Sequence, residues 1–227
     1  MSERWATFDC YGTLVDWEGG IGGELARIWP GEDADRLRER YHEIEPRVQL
    51  EGSLPYREVL RQALVLLAES EGLELPEGEG SALGDSLPRW PVFPEVPGAL
   101  AELRERGWRL VPLSNTDPDL LDASMQAIGV PFDGTVVAGE IGSYKPAHGH
   151  WKTFYERFGA DPEHHVHVAA SLFHDIAPAD ELGITAVWIN RLDETSDLPR
   201  AAELPDLERL PETLESLLPD ADGSGVA

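Results

Sequence analysis

From residue 92 onward, apolar and polar positions fall into two alternating kinds of segment. Short apolar runs, WRLVPLSN at 108 to 115, GTVVAG at 134 to 139, HVHVAAS at 165 to 171 and ITAVWIN at 184 to 190, read as strands. Between them VPGALAELRERG, DPDLLDASMQAIG, PAHGHWKTFYERFG and DIAPADELG read as helices, several stopped by Gly. Strand and helix in alternation predict an α/β core, a parallel sheet covered by helices on both faces. A first strand at 4 to 9 stands apart from that set. The stretch from 17 to 90 is mostly helical in pattern, notably at 33 to 50 and 56 to 71, with Gly- and Pro-rich breaks near 19 to 23, 30 to 31 and 76 to 80. The expected organisation is a core from residues 1 to 16 and 91 to 217, a helical cap inserted at 17 to 90, and a disordered tail at 218 to 227.

Composition narrows the setting. The chain of 227 residues has no apolar run near the roughly 18 residues of a spanning helix, so no membrane partner is expected. It enters WATFD with no basic region and apolar core before it, which predicts a cytoplasmic location. Cys10 is the single cysteine; strand alternation turns it away from Asp9, and it reads as a small buried apolar residue. With 18 Lys and Arg against 43 Asp and Glu, the formal charge of -25 would repel a phosphate backbone, and no nucleic-acid partner is expected. Among those cations only Lys145 and Lys152 are lysines. A chain that writes its other positive charges as Arg points to a Lys retained for its compact ammonium.

Ligands of an open parallel sheet bind outside the carboxyl ends of its strands. Four such ends supply Asp9, Ser114 with Asn115, Lys145 on a loop, and Asp175 at the end of AASLFHD. Asp9 is followed by the turn-forming YGT; a carboxylate there serves as nucleophile, metal ligand or cap for backbone N–H groups. Singly, Ser114 with Asn115 also reads as a turn, and Lys145 with Pro146 as a solvated loop. Six of seven histidines fall between 148 and 174, in spacings that fit no closed ligand set. Trp5, Trp108 and Trp188 lie in strand patterns, whereas Trp17, Trp29 and Trp90 flank the cap and are candidate pocket walls.

Taken together, FDCYGTLVD, PLSNTD with FPEVPGALAELRERG upstream, SYKP, and HDIAPADELGITAVWINR resemble the haloacid dehalogenase superfamily of hydrolases over about residues 4 to 218. The resemblance implies a Rossmann-like core, and the place of the insertion is similar to that superfamily's first class of helical cap. Its phosphatases generally carry a second Asp two residues after the nucleophile; here that position is Tyr11, and Asp-x-Tyr-Gly-Thr-Leu looks like the L-2-haloacid dehalogenase branch. The resemblance then implies a metal-independent reaction without cofactor: Asp9 displaces halide to form an aspartyl ester, Asp175 helps water hydrolyse it, and Lys145 balances and orients the carboxylates. The implied substrate is a small anionic organic acid, contacted by Tyr11, Thr13, Ser114 and Asn115. Arg40 on the cap, or Arg47, would receive the halide, although on a charged helix either also reads as a solvent-facing ion pair. A homodimer is compatible with the resemblance, but no interface is legible.

The final motif departs from that branch. It reads Ala170-Ser171-Leu172-Phe173-His174-Asp175 where a Ser-Ser-Asn-Ala-Trp-Asp type is usual, and Trp151 stands where those enzymes have Tyr. His174 is a candidate compensating base. Two alternatives therefore stand beside the dehalogenase reading. One is a Mg²⁺-dependent phosphatase on a small phosphate ester, with Asp9 as nucleophile and Asp175 as the remaining metal carboxylate, against which Tyr11 and Ala170 count. The other is a catalytically weak binding module for a small carboxylate or a protein partner.

Overall fold

The computed structural model describes residues 3–50 and 54–219. Six strands form one all-parallel sheet: β1 (Arg4–Phe8), β2 (Trp108–Ser114), β3 (Val136–Val137), β4 (His165–Ala169), β5 (Thr185–Ile189) and β6 (Ala202–Leu204), in the order β3-β2-β1-β4-β5-β6. β1 lies at the centre, and all five of its residues are buried, which explains why its sequence shows no polar alternation. Its neighbours align Thr7 with Val111 on one side and with His167 on the other. Side chains divide by parity. Ala6, Phe8, Leu110, Val166, Val168, Val187 and Ile189 belong to one apolar cluster, and Trp5, Val111, Leu113, Val136, Ala169 and Trp188 to the other.

Between β1 and β2 the chain forms α1 (Trp17–Ile28), α2 (Ala34–Leu50), α3 (Tyr56–Glu71) and α4 (Ala82–Ser86), then α5 (Val96–Glu105). α6 (Pro118–Ile128), α7 (Ala138–Ile141), α8 (Gly149–Phe158), α9 (Ala177–Glu181) and α10 (Leu210–Leu217) connect or follow the later strands. Among the described residues 17 to 90, none joins the sheet. No helix among the described residues is long and apolar enough to cross a membrane.

Several elements differ from the sequence pattern. Gly19 to Gly23, expected as a break, lie inside α1: the Asp16 carboxylate caps the helix by accepting from Gly19 N at 2.8 Å. β3 keeps only two residues because the chain turns helical at Ala138, where Gly139 passes close to Asp117 and its N–H bonds the Thr116 carbonyl. β6 was not predicted; it is a three-residue edge strand with no apolar run. The segment before Asp175 is a single π-helical turn, Leu172–Ile176, rather than the start of α9. Of the expected tail, residues 220 to 227 lie outside the described residues, while the Leu218 carbonyl accepts from Arg4 at 3.1 Å.

Close approach of α1 to the end of the helical segment depends on Gly20. A Cβ there would lie 2.3 Å from the Trp90 ring, and Trp90 is itself buried and donates to Ser86 Oγ at 3.0 Å. Gly20→Ala is expected to destabilise the protein by about 1–3 kcal/mol through overpacking, read as a lower urea midpoint.

Candidate active site

Asp9 sits just past β1, where its N–H continues the pairing with β4 by bonding the Val168 carbonyl at 3.0 Å. The turn that follows is tied by Leu14 N and Val15 N to the Cys10 carbonyl, with Gly12 at a φ of 90° that disfavours other residues. This turn brings Thr13 back beneath Asp9: its hydroxyl donates to Asp9 Oδ2 at 2.8 Å and accepts from Ala170 N at 2.9 Å. Thr13 is fully buried and holds the carboxylate, rather than facing a ligand as the resemblance implied.

Lys145 reaches the same point from the loop after α7. Its ammonium donates to Asp9 Oδ1 at 2.9 Å, Asp175 Oδ1 at 2.7 Å and the Leu113 carbonyl at 2.8 Å, so all three N–H bonds are used. Asn115 sets the loop: its Oδ1 accepts from Lys145 N at 2.7 Å and its Nδ2 donates to the Lys145 carbonyl at 2.9 Å. Burial pushes the Lys145 ammonium toward the neutral form, but Asp175 and Asp9 outweigh it and hold its pKa above the ordinary value. Asp175 shows the mirror case. Burial pushes it up, whereas Lys145 and His167 win and hold it below the usual carboxylate range. The other lysine, Lys152, is exposed and stands 4.0 Å from Glu156.

These groups open onto a cleft of about 580 Å³. From the sheet side come Asp9, Tyr11, Ser114, Asn115, Lys145 and Asp175, and from the helical segment Trp17, His42, Glu45, Gln49 and Tyr56. Ser114 Oγ and Asp175 Oδ2 are buried there without a hydrogen-bond partner. Tyr11 turns its hydroxyl away, to Ser124 Oγ at 3.0 Å, and stacks on Tyr56. Phe173 and His174 line the rim; burial lowers the His174 pKa, and its Nδ1 lies 3.2 Å from Ser171 Oγ. Cys10 is buried and its thiol is pushed up by burial, in keeping with the structural role expected of it.

Arg40 is not brought to this cleft. It is half-buried on α2 and pairs with Glu43 and Glu71, and Arg47 is exposed. The α2 residues that do face the cleft, His42, Glu45 and Gln49, lie on another side of the helix, because positions 40 and 45 are not a whole number of turns apart. The guanidinium at the site is Arg191, just past β5, which donates to the Thr13 carbonyl at 2.9 Å and Glu95 at 2.6 Å and covers the Phe93 ring. Its place after a strand end was the signal available for it. Trp17 lines the cleft as expected, but Trp29 and Trp90 are core residues, the former donating to the Glu74 carbonyl at 2.8 Å. Trp151 is likewise fully buried.

Among the described residues no group of three or more His, Cys, Asp or Glu is placed to hold a metal ion. Lys145 lies between the two carboxylates that a divalent cation would need, and Ala170 supplies no oxygen side chain.

Known proteins share this arrangement of chain. The family model for a haloacid dehalogenase-like hydrolase matches residues 4–183. A haloacetate dehalogenase H-2 of Moraxella sp. is 29% identical over 202 residues, covering 85% of this chain and 89% of the relative. A phosphoserine phosphatase of Thermus thermophilus is 33% identical over 142 residues, 60% of this chain and 55% of the relative. The crystal structure of an L-2-haloacid dehalogenase superposes with a TM-score of 0.85 at 25% identity, covering 95% of this chain and 100% of its own. With residues 4–183 matched by that family model and the fold shared over most of its length, the chain belongs to the haloacid dehalogenase-like hydrolases.

Proposed function

We propose that this hydrolase removes halide from small 2-haloacids through an aspartyl ester, without a metal ion. One observation carries the reading: the residue two beyond Asp9 is Tyr11, whose hydroxyl is committed to Ser124 and whose pKa is raised by burial. The site therefore lacks a proton donor at the place where an ester or phosphate leaving group would need one, and halide needs none. The resemblance to dehalogenases in sequence and fold supports the same conclusion.

In this reading Asp9 attacks the carbon bearing halogen, the carbon–halogen bond breaks, and halide departs with its electron pair. Lys145 aligns Asp9 and neutralises part of the buried negative charge. Water then adds to the ester carbonyl of Asp9 while Asp175 Oδ2 takes its proton; collapse of the adduct expels the 2-hydroxy acid oxygen, which recovers that proton. Ser114 Oγ and the backbone donors at Tyr11 and Asn115 are the proposed contacts of the substrate carboxylate. The cradle for the leaving halide is assigned to Tyr56, Gln49 and the protonated form of Glu45 on the helical segment, with Gln49 Nε2 donating to Glu45 Oε1, in place of Arg40. Glu45 suits that role because burial raises its pKa to about 7, keeping its carboxyl protonated in mildly acid solution.

EDTA-treated protein is expected to release halide from 2-chloropropionate or haloacetate, with Asp9→Asn losing roughly a thousandfold or more of the rate. Phosphate release from p-nitrophenyl phosphate only with Mg²⁺, and no halide release, would replace this reading with the phosphatase one. Lys145→Met should abolish turnover and lower stability by about 3–5 kcal/mol, measured by urea unfolding, because two buried carboxylates lose their partner. For Glu45 the sign follows from its raised folded pKa. The neutral form is favoured in the fold, so stability is full below the ordinary pKa of 4.5 and falls as pH rises to about 7. Glu45→Gln is expected to remove that slope, worth on the order of 3 kcal/mol between pH 5 and 8, in paired denaturation curves.

A further inference from the structure

Behind Asp175, on the sheet face away from the helical segment, five polar side chains form an unbroken file through an otherwise apolar cluster. Tyr155 OH lies 2.7 Å from His165 Nδ1, His165 Nε2 lies 2.7 Å from Thr7 Oγ1, Thr7 Oγ1 lies 2.8 Å from His167 Nδ1, and His167 Nε2 lies 3.0 Å from Asp175 Oδ1. Thr7, His165, His167 and Asp175 are fully or almost fully buried, while Tyr155 on α8 is half-buried. The i, i+2 spacing of His165 and His167 on β4 puts both rings on one face, and the register of β1 places Thr7 beside them.

With His167 taken as a neutral ring, donor counting gives the file one direction. Lys145 keeps Asp175 ionised, so its Oδ1 only accepts, and His167 must present Nε2–H to it. A neutral His167 ring then accepts at Nδ1 from the Thr7 hydroxyl. Thr7 Oγ1 accepts in turn from His165 Nε2–H, and His165 Nδ1 accepts from the Tyr155 hydroxyl. Every donor points toward Asp175, and all four ring nitrogens of His165 and His167 are satisfied. A second consequence lies at the other end: Oδ1 of Asp175 is saturated by Lys145 and His167, whereas Oδ2 is buried without a partner on a residue that lines the cleft.

We propose that His167, locked as its Nε2–H tautomer by Thr7, His165 and Tyr155, is the positioning residue for ester hydrolysis, holding Asp175 by Oδ1 so that Oδ2 alone is presented to water. The inference rests on the aspartyl-ester reading of the site. The step it serves is the one in which a water O–H bond breaks, its oxygen bonds to the Asp9 carbonyl carbon and its proton passes to Asp175 Oδ2. His167, Thr7, His165 and Tyr155 touch no reacting atom and leave the halide-expelling step to Asp9 and Lys145.

Two measurements test it. Long-range ¹H–¹⁵N correlation spectra of the full-length wild-type protein read histidine tautomers directly, and both His165 and His167 are expected as Nε2–H; an Nδ1–H or doubly protonated His167 would overturn the proposal. Rapid-quench kinetics with 2-bromopropionate then separates the first-turnover halide burst from ester hydrolysis. Thr7→Val is expected to keep the burst rate and slow hydrolysis roughly 10- to 100-fold, with ester accumulating on Asp9, and Thr7→Ser to restore it. Tyr155→Phe, at the half-buried end of the file, offers a milder variant, with a smaller slowing of the same step. Wild-type hydrolysis rates in both Thr7→Val and Tyr155→Phe would sink the inference while leaving the aspartyl-ester reading intact. A wild-type protein with no halide burst would sink that reading and the inference together.

Discussion

The buried ammonium of Lys145 is the interaction on which the site depends. Three N–H bonds leave one nitrogen toward Asp9, Asp175 and the Leu113 carbonyl, so three separate strand ends are held to a common point. Two carboxylates and one ammonium share a buried space, and Asp175, the more deeply buried acid, is held ionised there by Lys145 and His167. That requirement accounts for the side-chain clamp of Asn115 on the Lys145 backbone and for the Thr13 hydroxyl on Asp9: each fixes a charged group that has no freedom to search for another partner.

Around this centre the two sides of the cleft contribute different chemistry. The sheet side supplies charge and fixed direction. The helical segment supplies aromatic surface and neutral donors, with Glu45 as an acid whose ionisation burial resists. A leaving group received by such a surface meets hydrogen-bond donors in place of a full positive charge, and Arg191 brings a guanidinium already shared with Glu95. The shape of this side of the cleft is set by Tyr11, Trp17 and Tyr56.

Much of the core was legible because its signals are local. An apolar run ending in Asp9, another in Ser114 and Asn115, and a third leading through a loop to Lys145 each mark a strand end by pattern alone, and a parallel sheet gathers such ends along one edge. What failed to show is also physical. β6 has three residues and no buried face, so it carries no periodic signal. The Gly-rich stretch in α1 looked like a break because propensity ignores Trp90, which needs the missing Cβ of Gly20.

By itself, the sequence determined the alternation of strands and helices, the residues at the strand ends and the absence of a second carboxylate at Tyr11 and Ala170. Those features depend on residue type and spacing along the chain. Only the tertiary structure decided that Thr13 supports Asp9, that Arg40 pairs with Glu43 and Glu71 while Glu45 and Gln49 face the cleft, and that His165, Thr7 and His167 join into one file behind Asp175. The reason is common to all three: the rotation of a helix against the sheet and the register of neighbouring strands choose which side chains meet, and both are set by packing between segments far apart in the chain.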